Sequence, residues 1–311
     1  MNNLRGKDFL SLQDYSDAEI RGLIDLAHDL KSRQKKGEPQ PLLVGKTLAM
    51  IFEKPSTRTR VSFEVGMWQL GGAALFLGSQ ELQMGRGEPI KDTAAVLSRY
   101  VDGIMIRTFD HQDVEELALH ASVPVINGLT DLLHPCQVLA DLLTIEEKTG
   151  RLQGNKLAYL GDGNNVVHSL LLGGSKMGFD LVVATPSRYR PLPAIVETAQ
   201  KNAGKSGGRI KITEDPKEAV LDADIIYTDV WTSMGQEKEK TERRKIFSPY
   251  QVNRDLVELA KPGAVIMHCL PAYRGEEITA EVLEGEQSVV LEQAENRLHA
   301  QKALLALLMG E

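Results

Sequence analysis

The sequence predicts an α/β protein of two domains, each a mostly parallel sheet flanked by helices, with the ligand site in the cleft between them. Three observations lead there. A chain of 311 residues is long for one domain. Short β-rich apolar runs alternate with helical stretches along it, the pattern of strand–helix–strand units and parallel sheets. The glycine-bearing polar segment Thr149-Gly150-Arg151-Leu152-Gln153-Gly154-Asn155 interrupts the alternation, and a new strand–turn–helix unit follows it. The expected division is therefore residues 1–148 and residues 149–291.

In chain order, the expected strands of the first half are Thr47–Phe52, Ala74–Leu77, Gly103–Arg107 and Pro124–Ile126. Those of the second half are Lys156–Leu160, Leu181–Ala184, Arg209–Ile212, Asp224–Thr228 and Ala264–His268. Between them a helix is expected over Ser56–Leu70, just after Pro55. Another over His134–Lys148 places Val138, Leu139, Leu142, Leu143 and Ile145 along one apolar face. A third, Pro191–Asn202, opens on a proline, as first helical turns often do. The densely charged stretch Gln236–Lys245 reads as a solvated loop.

Composition narrows the function. A formal net charge of -7 speaks against a nucleic-acid or anionic-membrane partner, since both need a basic face. It leaves room for a small anionic substrate, because a few arginines can reverse the field inside a cleft. No apolar run approaches the roughly 18 residues of a membrane span, and Met1–Lys7 shows no secretory pattern, so a cytoplasmic location is expected. Cys136 and Cys269 are the two cysteines, and a chain this long needs no disulfide staple.

Ligands of open α/β sheets bind beyond the carboxyl ends of the strands, so the residues that follow each strand carry the chemistry. After the first strand come Ser56-Thr57-Arg58-Thr59-Arg60, hydroxyls and guanidiniums at a helix start. Backbone N–H groups and the positive helix end make such a place an anion site, and arginine forks suit phosphate oxygens. Arg107 ends an apolar strand and must reach a partner or a cleft. His134-Pro135-Cys136-Gln137 opens a helix, with no second histidine or cysteine at metal-ligand spacing, so no zinc is expected. Leu160-Gly161-Asp162-Gly163-Asn164-Asn165 lacks the third glycine of a dinucleotide fingerprint, Val166 standing there, which argues against a Rossmann cofactor. Asp229, at the next strand end, suits an amine-bearing ligand or caps the following segment, and the last strand ends in His268-Cys269-Leu270-Pro271.

Ser56–Arg60 resembles the phosphate-binding signature of the aspartate/ornithine carbamoyltransferases, and His134–Gln137 resembles their carbamoyl-binding signature. Gly87–Thr93 is similar to theirs as well. Asp229–Gly235, His268–Pro271 and Glu295-Asn296-Arg297 resemble the ornithine branch in particular, and the similarity runs in family order from about residue 5 to residue 308. The resemblance implies a carbamoyl-phosphate-binding domain over residues 1–148, completed by a C-terminal helix 292–311, and an ornithine-binding domain over residues 149–291.

The resemblance also implies the site. Ser56, Thr57, Arg58 and Thr59 would hold the phosphate of carbamoyl phosphate. Arg107, His134 and Thr59 would hydrogen-bond its carbonyl oxygen, in the stretch that also holds Pro135 and Cys136. Gln137, Arg297 and the backbone carbonyls of Cys269 and Leu270 would orient the carbamoyl amide. Gln83, on the Gly78–Glu88 loop, would reach a neighbouring subunit's site in a homotrimer, or a multiple of trimers, with shared sites. Asn165 and the Met234 backbone would bind the α-carboxylate of ornithine, with Asp229 and Ser233 on its α-amine. Arg107, His134, Cys269 and Asp229 are the expected catalytic group. The implied reaction is direct attack by ornithine's δ-amine on the carbamoyl carbon, with no cofactor or metal. Aspartate as acceptor would call for more cations in the second domain. Asp229 and Cys269 favour a cationic acceptor such as ornithine over aspartate, and Asp229 with Asn165 favours an amino-acid head group over putrescine. A non-catalytic sensor of carbamoyl phosphate or an amino acid is the reading from another class, and Arg58, Arg107, His134 and Gln137 speak against it.

Overall fold

A computed structural model describes residues 4–78, 82 and 87–310. The chain divides into two compact units, residues 1–143 with 295–311 and residues 144–294. The first will be called unit 1 and the second unit 2.

Unit 1 holds a four-stranded sheet of β1 (Thr47–Phe52), β2 (Ala73–Gly78), β3 (Gly103–Arg107) and β4 (Val125–Leu129), in the order β2-β1-β3-β4 and parallel throughout. Its helices are α1 (Asp17–Lys35), α2 (Thr57–Gln69), α3 (Ile90–Leu97), α4 (His111–His120) and α5 (Pro135–Thr149), the last of which runs on past Leu143. Strands buried on both faces read as unbroken apolar runs, which is why β1 and β3 are plain in the sequence. Ala49, Ile51, Ile104 and Ile106 are fully buried in one cluster with Val114 and Leu117 of α4. Burying each larger aliphatic chain stabilises the fold by roughly 1.5–3 kcal/mol.

Unit 2 holds a five-stranded sheet of β5 (Lys156–Leu160), β6 (Asp180–Ala184), β7 (Arg209–Thr213), β8 (Ile225–Thr228) and β9 (Val265–His268), in the order β7-β6-β5-β8-β9, again parallel. Six helices accompany it: α6 (Asn165–Lys176), α7 (Pro193–Ser206), α8 (Pro216–Val220), α9 (Lys240–Phe247), α10 (Arg254–Val257) and α11 (Ala280–Leu283). Helix α12 (Val290–Met309) follows, and its residues from Glu295 onward belong to unit 1.

The expected fold class holds, with every expected strand present. Three expectations need correction. β4 runs through Asn127-Gly128-Leu129 rather than stopping at Ile126, because the backbone N–H of Asn127 donates to Phe9 O at 2.9 Å and its side chain to Leu10 O at 3.0 Å. Gly128 is needed there, since a Cβ would lie 2.5 Å from Met105 Sδ. The helix expected from Pro191 begins at Pro193 and extends to Ser206, because Leu192 is its N-cap in an extended conformation. Gln236–Lys245 is not a solvated loop. It forms a 3-10 turn, Glu237–Glu239, and then α9, whose Arg243 is buried.

Candidate functional site

In unit 1 the expected donor-site residues gather where β1, β3 and β4 end. Ser56 is the N-cap of α2 and its hydroxyl oxygen accepts from Thr59 N–H at 3.2 Å, leaving the O–H able to donate. Thr57 and Arg58 stand in the first turn, exposed and half-buried. Arg60 turns elsewhere: it pairs with Glu64 at 3.2 Å and lies over the Phe76 ring at 3.9 Å, whereas the Arg58 guanidinium acts on the His134 ring. Arg107 is buried at the end of β3, and its carbonyl accepts from Glu53 N–H at 2.9 Å.

Arg297 ties this group together, donating to Gln137 Oε1 at 2.8 Å and to Thr59 Oγ1 at 3.3 Å. The Gln137 amide donates in turn to Asp141 at 2.8 Å. His134 is buried beside them. Burial first, then the guanidiniums of Arg297, Arg107 and Arg58, hold its imidazole well below the usual histidine range. It is therefore a neutral ring among cations at physiological pH. The Cys136 thiol donates to Asn127 O at 3.3 Å and is pushed up to about 12 by burial, the Arg297 guanidinium opposing the rise. A thiol of that kind is inert. Pro135 supplies the first residue of α5. Gln83 lies outside the described residues.

In unit 2 the expected acceptor residues follow β5, β8 and β9. Asp229 is buried, and both of its oxygens are engaged by neutral donors: the Asn164 amide at 2.7 Å and the Cys269 thiol at 2.9 Å. Asn165, half-buried, opens α6 directly after Asn164, whose side-chain oxygen caps Val166 N–H at 3.0 Å and Val167 N–H at 3.3 Å. Ser233 is half-buried and Met234 exposed in the turn after Asp229, with Ser233 N–H donating to Gln236 at 3.1 Å. Leu270 has a positive φ of 57°, an uncommon conformation for a branched side chain. Its N–H donates to His268 Nδ1 at 2.9 Å.

Several residues at these places carry no obvious mark in the sequence. Arg243 donates to Asp162 Oδ2 at 2.9 Å and to Trp231 O at 2.8 Å, joining the turn after β5 to the turn after β8. The Asp162 carboxyl is pushed up to about 6 by burial, the Arg243 guanidinium opposing the rise. Glu239–Arg243 at helical spacing was the available signal, though nothing in a charged run says which arginine turns inward. Asn164 is legible as a helix-starting residue but not as the partner of Asp229. Lys54, buried before Pro55, pairs with Asp131 and lies over the Phe109 ring, linking the loops after β1, β3 and β4.

Among the described residues, the metal-type donors of Asp229, His268 and Cys269 lie within 4.8 Å of one another. Both His268 nitrogens already hold hydrogen bonds, Nδ1 to Leu270 N–H and Nε2 to Glu277 at 3.0 Å. Those bonds orient the loop and do not leave a ligand nitrogen for an ion. No helix among the described residues is long and apolar enough to cross a membrane.

Comparison with known proteins adds the following. Residues 7–147 match the family model for the aspartate/ornithine carbamoyltransferase carbamoyl-P binding domain, and residues 153–308 match that for the Asp/Orn binding domain. The ornithine carbamoyltransferase of Thermococcus kodakarensis is 60% identical over 308 residues, covering 99% of this chain and 98% of that one. Among solved structures, the ornithine carbamoyltransferase of Pyrococcus furiosus superimposes with a TM-score of 0.97 at 60% identity, covering 99% of both chains. The ornithine transcarbamoylase of Giardia lamblia does so at 0.87 and 36% identity, covering 97% of both.

Proposed function

The chain belongs to the aspartate/ornithine carbamoyltransferase family, and on that premise we propose that it moves the carbamoyl group of carbamoyl phosphate onto the δ-amine of L-ornithine, giving L-citrulline and phosphate. The observation that carries this reading is the convergence of Arg58, Arg107 and Arg297 on the neutral ring of His134, beside the N-terminus of α2. Such a group suits a small phosphorylated carbonyl compound.

The roles follow from charge and reach. The N-terminal turn of α2, through Ser56, Thr57, Arg58 and Thr59, takes the phosphate. Arg107, His134 and Thr59 donate to the carbonyl oxygen, where negative charge grows as the amine attacks. A neutral imidazole can donate there without adding another cation to a crowded site. Gln137, Arg297 and the carbonyls of Cys269 and Leu270 orient the carbamoyl amide. In unit 2, Asp229 and Ser233 take ornithine's α-ammonium, while Asn165 and the Met234 backbone take its carboxylate. The free amine attacks the carbamoyl carbon, a C–N bond forms, the C–O bond to phosphate breaks, and the amine's proton leaves with phosphate or solvent. Donors aimed at the developing charge and the alignment of two substrates supply the acceleration, without a covalent enzyme intermediate.

The enzyme works in the cytoplasm as a homotrimer or a multiple of trimers, with Gln83 donated to a neighbour's site. Refolding a mixture of two inactive variants, Arg58→Ala and Gln83→Ala with Arg86→Ala, restores activity if sites are shared. A mixed trimer as inactive as its parents ends that part of the reading. The reaction itself is tested by citrulline formation from carbamoyl phosphate and ornithine. The rate at subsaturating ornithine should rise from about pH 7 to 9, since an alkyl ammonium has a pKa near 10.4 and the free amine is the attacking form. Substrate binding without citrulline would leave a sensor instead.

A further inference from the structure

Beyond the residues placed against substrate, unit 2 contains a loop fastened to the acceptor turn from two sides. The loop runs from Tyr189 to Leu192, ahead of α7. On one side Gly163 N–H donates to Tyr189 O at 2.8 Å. On the other, Leu192 N–H donates to His168 Nε2 at 3.1 Å. Between these bonds the two backbones touch: a Cβ on Gly163 would lie 2.3 Å from Pro191 N and 2.4 Å from both Arg190 C and Tyr189 O. Glycine is required at 163 for that approach, since no side-chain atom fits. Thr185 Oγ1 donates to the same Tyr189 carbonyl at 2.9 Å and holds the loop's near end.

We propose that His168 is a positioning residue for the amino-acid acceptor: it clamps the Tyr189–Leu192 loop onto Gly163 and so fixes the turn that presents Asn164 and Asn165. His168 is buried one turn into α6, and its own N–H donates to Asn164 O at 3.0 Å. Its ring and its backbone therefore act on the same turn from opposite ends. Leu192 caps α7 with no side-chain hydrogen bond, and its own backbone N–H is received by the imidazole. Accepting that N–H requires a lone pair on Nε2, which makes the ring neutral with its proton on Nδ1. A turn free to shift would move Asn164, whose amide holds Asp229 and whose oxygen caps α6, together with Asn165.

This rests on the acceptor reading given above, and the experiment separates the two. The unsubstituted enzyme must first form citrulline; if it does not, the reading of function fails, whatever His168 does. Given an active enzyme, His168→Leu should raise KM for ornithine about five- to tenfold, the effect of one lost hydrogen bond. KM for carbamoyl phosphate and kcat should change by less than about twofold, as for loss of binding common to ground and transition states. His168→Gln, which restores an acceptor oxygen, should recover most of the loss. Leu192→Pro removes the donor from the other side, and the φ of -57° at Leu192 already suits proline. It should reproduce the ornithine effect, and the two substitutions together should do no more than the larger single one. Leu192→Pro decides the matter if His168→Leu does not fold. An unchanged ornithine KM, a loss shared equally by both substrates, or no recovery in His168→Gln overturns the proposal.

Discussion

At the strand ends of unit 1, guanidiniums crowd a neutral imidazole, whereas at those of unit 2 the carboxylate of Asp229 is held by an amide and a thiol. The first place is preset for an anion, because cations close together are relieved when negative charge arrives. The second suits a cation, because the Asp229 carboxylate rests on donors that carry no charge of their own. The two cysteines follow the same division. Cys136 is shut away against a backbone carbonyl, and Cys269, half-buried, donates to the acid. On the proposed reading, the two places differ in the sign of charge they offer a ligand, cationic around His134 and anionic at Asp229.

The largest expected effect tests the cationic half. Arg58→Ala should lower kcat/KM for carbamoyl phosphate by about 2–4 kcal/mol of transition-state stabilisation, on the order of thirty- to a thousandfold. The variant should keep its fold and its affinity for ornithine. Steady-state kinetics with a thermal melt would check both, and unchanged kinetics would remove Arg58 from the site.

Asp229→Asn probes the other half and should act in the opposite sense. Ornithine affinity should fall by about 1.5–3 kcal/mol, the worth of a hydrogen bond to a charged group, with carbamoyl phosphate nearly unaffected. Calorimetry with each ligand measures this. Equal losses would mean that Asp229 only supports Asn164 and Cys269.

A smaller effect comes from Asp162, the acid that joins Arg243 behind the acceptor turns. Its pKa in the fold, about 6, lies above the ordinary 3.8, because burial outweighs the guanidinium beside it. A raised folded-state pKa contributes stability that is fully present below the unfolded value and is lost as pH rises through the folded one. Asp162→Asn should therefore gain on the parent by on the order of 2 kcal/mol between about pH 4 and pH 7, whatever constant offset the lost ion pair introduces. Denaturant titrations of both proteins across that window would measure it, and a difference independent of pH would exclude the effect.

Much of this was legible in the chain, for reasons that differ by residue. β1 and β3 announce themselves because a parallel strand covered on both faces must be apolar throughout. β4 was cut short because Asn127-Gly128 carries the residues of a turn, and only Phe9 and Leu10, more than a hundred positions away, make it a strand. Arg58, Arg107, His134 and Gln137 stood out because they follow strands. Arg243 did not, because its burial is set by Asp162 and the Trp231 carbonyl, which no local pattern reveals. His168 and Leu192 were invisible for the same reason: one is a helix residue, the other contributes only its backbone N–H.

Arg297 stands in a segment that rejoins unit 1 only after the whole of unit 2 has intervened. On a ribosome adding about 5–20 residues each second, the stretch of roughly 150 residues between Leu143 and Glu295 delays that segment by about 8–30 s. During that interval Thr59 and Gln137 wait without the guanidinium that later links them. The nascent chain passes through a stage in which unit 2 is contiguous and complete while the Thr59–Arg297–Gln137 link of unit 1 is still unmade.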